Sequence, residues 1–134
     1  MNLLLDTHIL LWALTNDPRL PEKERELIQN PDNNIYFSII SPWEVEIKRM
    51  AHPQAMPIGA EELVIYCLRS GFQELPLWNN HINLLKSLTR GPSEAPHQDP
   101  FDRIMICQSM AENMLFITHD KNLSGYHEPS VLVV

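Results

Sequence analysis

Residues 99–120, DPFDRIMICQSMAENMLFITHD, decide the fold, because one run holds a helix start, a helix face and a strand. Asp99 is a capping residue, and Pro100 suits the first helical position, where a missing N–H costs nothing. Phe101, Ile104, Met105, Cys107, Met110, Ala111 and Met114 then recur at the spacing of one broad buried helix face. Leu115–Thr118, LFIT, is a short apolar run that reads as a strand, and THD follows it.

The same alternation extends to both ends of the chain. Leu3–Leu5 is an apolar strand stopping at Asp6, after which Ile9, Leu10, Trp12, Ala13 and Leu14 form the apolar side of a helix. Asn16, Asp17 and Pro18 break that helix, Pro21 opens the charged helix PEKERELIQ with Leu27 and Ile28 inward, and NPDNN is a turn cluster. Ile35–Ile40 is a strand, and Ser41 with Pro42 starts a helix from Trp43 to about Met50. Further on, Glu61–Ser70 is helical by spacing, Phe72–Leu77 is a weaker strand and Asn79–Leu88 a helix. The proline-rich TRGPSEAPHQ is an exposed loop, and the final VLVV a last strand. Strands alternating with helices predict an α/β fold, a central, mostly parallel sheet flanked by helices on both faces.

The 134 residues are 44% hydrophobic and 20% charged, which describes one globular domain, residues 1–134, and excludes disorder. A chain of this size buries about two-thirds of its unfolded surface, so the core needs no disulfide. Cys67 and Cys107 stand far apart in no metal-ligand spacing and read as buried thiols without a role. The apolar run Ile9–Leu14 is too short to cross a bilayer, and MNLLLD has no basic residue ahead of an apolar stretch. A cytoplasmic protein without membrane contact is expected. The formal charge of -7 argues against non-specific DNA coating but not against a nuclease, since carboxylates that hold cations reverse the local sign.

Acids stand at the ends of three strands: Asp6 after LLL, Glu44 within SPWE, and Asp120 within THD. In a parallel sheet these ends share one edge, where ligand sites of open α/β sheets lie. Asp102 joins them if its helix starts there. Singly, each acid has a structural explanation. SPWE matches a capping box in which Glu44 reaches back to Ser41, Asp99 caps its helix, Asp102 completes an acidic box and Asp6 caps the first helix. Together, four acids on one edge repel one another unless a cation relieves them, which points to a metal site. Carboxylates suit Mg²⁺, with Mn²⁺ as a substitute, and such ions support phosphodiester hydrolysis by water.

LLLDTHILLW, SPWEVEIK and HQDPFDRIMICQSMAENMLFITHD resemble the PIN domain, specifically the VapC-like ribonuclease toxins of toxin–antitoxin pairs. The resemblance implies a PIN-like three-layer fold and a Mg²⁺-dependent endoribonuclease. Its four family acids fall on Asp6, Glu44, Asp102 and Asp120, with Asp6 and Asp102 contacting the ion most directly. Glu44 and Asp120 complete the pocket through water or a second ion, and Thr118 holds one of those waters. The resemblance also implies an RNA substrate, an antitoxin partner and a homodimer, with the early helices as the interface. Two departures bear on substrate choice: His119 replaces a frequent arginine or asparagine, and Ala51–Pro57 lacks a glycine often present.

His8 and His119 flank Asp6 and Asp120, and His97 precedes DPFD, but no HxxxH pair supports zinc, which ranks behind. Lys48 and Arg103 are candidate phosphate contacts or simply balance neighbouring acids. Trp12 and Trp43 lie on faces that read as core, so base stacking by Trp12, Trp43 or Trp78 requires an exposed indole. Two alternatives remain to the toxin ribonuclease. One is a housekeeping nuclease acting on rRNA or DNA; the other is a non-catalytic module whose acidic cleft receives a basic peptide.

Overall fold

The computed structural model describes all residues 1–134. Its central strand, β1 (Asn2–Leu5), carries three consecutive leucines with no exposed surface, because both sheet faces are covered. The sheet is completed by β2 (Asn34–Ser38), β3 (Gln73–Leu75), β4 (Leu115–Thr118) and β5 (Val131–Val133). The strand order is β3-β2-β1-β4-β5. Every pairing is parallel, so the expected mostly parallel sheet is wholly so.

The helices are α1 (Thr7–Thr15), α2 (Glu22–Gln29), α3 (Ile40–Ala51), α4 (Ala60–Arg69), α5 (Asn79–Asn83) and α6 (Pro100–Ala111). Side chains alternate across the sheet. Leu3, Leu5, Phe37 and Ile117 pack with Ile9 and Leu10 of α1, Ile28 of α2 and Leu63 of α4. Leu4 and Phe116 face the other way, onto Ile104, Met105 and Cys107 of α6. Burying each such side chain stabilises the fold by roughly 1.5–3 kcal/mol, so the two apolar layers fix which residues point to which face.

The chain steps from β1 outward to β2 and β3, then returns to β4 on the other side of β1. The β1/β4 boundary is therefore the switch point at which a crevice opens beyond the carboxyl ends of parallel strands. Leu5 stands opposite Ile117 there, and the Asp6 N–H continues the ladder to the Ile117 carbonyl at 2.9 Å.

Several boundaries differ from the sequence reading. The strand expected over Ile35–Ile40 ends at Ser38, because the Ser38 hydroxyl accepts the Ile40 N–H at 3.0 Å and starts α3 early. Ser41 and Pro42 thus lie inside α3 rather than opening a helix at Trp43. This phase turns Val45 into the core and leaves Trp43 57% exposed, so the expectation of a core Trp43 is corrected. The helix expected over Asn79–Leu88 is α5 followed by a 3₁₀ segment, Leu84–Ser87. A second 3₁₀ segment, Lys121–Tyr126, follows Asp120. Gly71, at φ 82°, takes the left-handed conformation that closes α4 before β3. No helix is long and apolar enough to cross a membrane.

Candidate active site

Asp6 is the first residue past β1 and is 5% exposed. Its Oδ1 accepts the Thr7 N–H at 2.6 Å and its Oδ2 accepts the Thr118 hydroxyl at 2.5 Å. Thr118 also accepts the Asp120 N–H at 3.1 Å, so this one side chain ties both strand-end acids together. The proton of Thr118 is therefore committed to Asp6, which narrows the expectation that Thr118 orders a water.

Glu44 enters from α3 and is 4% exposed. Its Oε1 accepts the Thr7 hydroxyl at 2.8 Å, and its Oε2 meets Lys48 Nζ at 2.6 Å. The capping-box reading of SPWE fails on this geometry. Ser41 Oγ lies 2.9 Å from Thr7 Oγ1, so Ser41, Thr7 and Glu44 form a connected chain across α1 and α3.

Asp99 caps α6 as its sequence implies, accepting the N–H groups of Phe101 at 2.9 Å and Asp102 at 3.2 Å. That cap sets Asp102 in the first helical turn, 7% exposed and facing the same cleft. Asp120 accepts the Asn122 N–H at 2.9 Å and begins the 3₁₀ segment. All four expected acids, with Asp99, line a single cleft of about 430 Å³.

Burial pushes the Asp6 carboxyl up to about 6, with Glu44 and Asp120 adding repulsion and the Thr118 and Thr7 donors opposing. Burial also pushes Asp102 up to about 8, and Asp6, Asp99, Glu44 and Asp120 all add to it. These are the shifts of carboxylates crowded into low dielectric without sufficient positive charge. Burial works against the Lys48 ammonium, but its contact with Glu44 prevails and raises Lys48 above its ordinary range.

His97, Asp102 and Asp120 each offer a ligand atom, and these three atoms lie within 4.8 Å of one another. His97 Nε2 is buried and has no hydrogen-bond partner. A set of carboxyl oxygens plus an unpartnered imidazole nitrogen fits a divalent cation.

The remaining candidate residues divide. Lys48 lines the cleft while paired with Glu44. Arg103 points its Nη1 at the Tyr126 hydroxyl, 3.3 Å away, and does not line the cleft. Trp12 reaches the cleft but is only 6% exposed, with His119 edge-on at 4.8 Å and Arg19 over its ring at 5.0 Å. The exposed indoles are Trp43 and Trp78, neither of which lines the cleft; Trp43 packs edge-on against Phe101. His8 lines the cleft outside the ligand cluster, and His119 Nδ1 lies 2.8 Å from the Val134 carbonyl oxygen. Both cysteines are buried, which pushes Cys67 up to about 12 and Cys107 to about 11 and keeps them unreactive.

The sequence reading missed Arg19, Thr7 and Ser41. Thr7 adjoins Asp6, and a hydroxyl beside a buried acid is a usable signal. Arg19 carries none, since its place depends on stacking over Trp12 and on its ion pair with Asp17 at 2.7 Å.

No curated protein matches the sequence significantly. Among solved structures, VapBC2 from Rickettsia felis, bound to a DNA fragment from their promoter, has a chain similar in fold. Its TM-score is 0.67 at 18% identity, over 100% of this chain and 98% of that one. VapBC-1 from nontypeable Haemophilus influenzae gives a TM-score of 0.62 at 19% identity, over 99% and 98%. The PIN domain model matches residues 3–128, which takes in Asp6, Glu44, Asp102 and Asp120. On that match, the chain belongs to the PIN domain family.

Proposed function

We propose that the protein is a Mg²⁺-dependent endoribonuclease and the VapC-like toxin of a toxin–antitoxin pair, working in the cytoplasm. The observation that carries this reading is the convergence of Asp6, Glu44, Asp102 and Asp120 on one cleft, where burial and mutual repulsion hold Asp102 near pKa 8. Such crowding has a use when a cation neutralises it. Asp6 and Asp102 would hold Mg²⁺ most directly, Glu44 and Asp120 complete the pocket, and Mn²⁺ would substitute. The ion's chemistry, when bound, is polarisation of the scissile phosphate and a lowered pKa for water.

The chain's own residues orient and screen. Thr118 and the Thr7 N–H fix both oxygens of Asp6, while Thr7 and Lys48 fix Glu44. Lys48 and Arg19 put positive charge at the rim of an otherwise acidic cleft, where a phosphodiester must approach. In this reading a water held by the ion is the nucleophile, and no covalent intermediate is expected.

The likeness to VapBC chains supports an antitoxin partner. The helix PEKERELIQ offers no exposed large apolar side chain, whereas Trp43, Ile47 and Met50 of α3 and Ile65 and Leu68 of α4 are exposed. The antitoxin and homodimer surfaces are assigned to α3 and α4 accordingly.

The test is cleavage of structured RNA in Mg²⁺ and in EDTA, by wild type and Asp6→Asn. Cleavage that stops in EDTA and in the variant is expected. Equal cleavage in all samples rejects the reading, and Mg²⁺-dependent cleavage confined to DNA moves it to a housekeeping nuclease. Absence of cleavage with intact partner binding makes the fold an interaction module.

A further inference from the structure

His97 is the one buried side chain whose polar atom lacks a partner. Its side chain is 7% exposed although it sits in the proline-rich segment 89–98. Two side chains, Arg90 and His97, hold that segment in place. Arg90 donates to the carbonyls of Ala95 at 2.6 Å and Asn122 at 2.7 Å, and lies over the Tyr126 ring at 4.9 Å. His97 Nδ1 lies 2.7 Å from the Tyr126 hydroxyl.

The Tyr126 hydroxyl anchors one face of the imidazole. The Tyr126 oxygen lies 3.3 Å from the His97 carbonyl oxygen and accepts from Arg103 Nη1 at 3.3 Å. With its proton on Nδ1, shared with the Tyr126 hydroxyl, the imidazole presents a lone pair at Nε2, the form in which it ligates a metal. That lone pair stands 3.4 Å from Asp102 Oδ2 and 3.9 Å from Asp120 Oδ2. These three atoms converge on one place, and Nε2 has no hydrogen-bond partner to give up for a cation held among them. Buried His81 shows the contrast: its Nδ1 accepts the Trp78 N–H at 3.0 Å and its Nε2 contacts Glu112 at 2.8 Å, so both nitrogens are satisfied.

We propose that His97 is a metal ligand, its Nε2 joining Asp102 and Asp120 in a mixed nitrogen–oxygen site that takes Mn²⁺ in preference to Mg²⁺. The inference rests on the cation site proposed above and adds a ligand that the four-acid set lacks. With bonds of roughly 2.0–2.2 Å, neighbouring ligand atoms stand roughly 3–3.5 Å apart, so the two spacings from Nε2 need only a slight contraction. An imidazole moves selectivity away from Mg²⁺, which strongly prefers oxygen, toward transition metals. The Nδ1–H contact with Tyr126 is the outer partner that orients a ligating histidine.

The probe is Mn²⁺ bound to the full chain, read by pulsed electron paramagnetic resonance for coupling to a ¹⁴N nucleus. Wild type is expected to show histidine coupling and His97→Gln none, with the Mn²⁺-to-Mg²⁺ affinity ratio reduced at least the roughly 10-fold that loss of an orienting partner costs. Coupling that persists in His97→Gln overturns the assignment, as does its absence from wild type that binds Mn²⁺. Should His97→Gln fail to fold, His8→Gln/His119→Gln decides: retained coupling upholds the proposal and lost coupling overturns it. Wild type that binds no Mn²⁺ overturns the cation site itself.

Discussion

Asp102→Asn is expected to raise the melting temperature of the metal-free protein at pH 8 by about 10 °C and to lower RNA cleavage by about 10²–10³-fold. Both effects have one origin. Burial and four neighbouring carboxylates raise Asp102 from 3.8 to about 8, so the folded protein binds this proton more tightly than the unfolded chain. Stability attached to such a group falls as pH rises through the interval between the two values. The neutral asparagine escapes that loss. Its advantage is therefore absent below pH 4, grows toward pH 8, and is on the order of a few kcal/mol there. Thermal unfolding of both proteins from pH 4 to pH 8, with EDTA present, measures it. A variant less stable than wild type at pH 8 would show that Asp102 is held for structural reasons.

The second large effect is stabilisation by divalent cations. Saturating wild type at about 100 times the dissociation constant should add about 2.7 kcal/mol of stability. Binding requires both Asp102, near 8, and Asp6, near 6, to be ionised. Between pH 8 and pH 6 the cation displaces about one proton, so affinity should weaken about 10-fold per pH unit, and more steeply below pH 6. Isothermal titration with Mn²⁺ across this range checks the slope. Asp6→Asn should remove most of the stabilisation. A pH-independent affinity, or an unchanged one in that variant, would place the cation outside the carboxylate cleft.

The strand ends were legible in the sequence because parallel strands buried on both faces read as continuous apolar runs, and Asp6 and Asp120 stop two of them. α6 was legible from Asp99, Pro100 and its apolar spacing, and the Asp99 cap then delivers Asp102 to the cleft. Glu44 was identified as an acid of the site, but its local role was misread. Ser41 and Pro42 look like a helix opening, yet Ser38 starts the helix three residues earlier, and so Ser41 bonds to Thr7 instead of capping. The same shift of helical phase exposes Trp43. Long-range contacts were the least legible. Nothing local in TRGPSEAPHQ announces that Arg90 and Tyr126 will bury His97 beside two acids.

Crystals soaked in Mn²⁺ and measured at the manganese edge test most directly whether these carboxylates are gathered for a cation. Anomalous density within about 2.2 Å of oxygens from both Asp6 and Asp102 is expected. A cleft without density at saturating Mn²⁺, or density on other residues alone, would contradict the account.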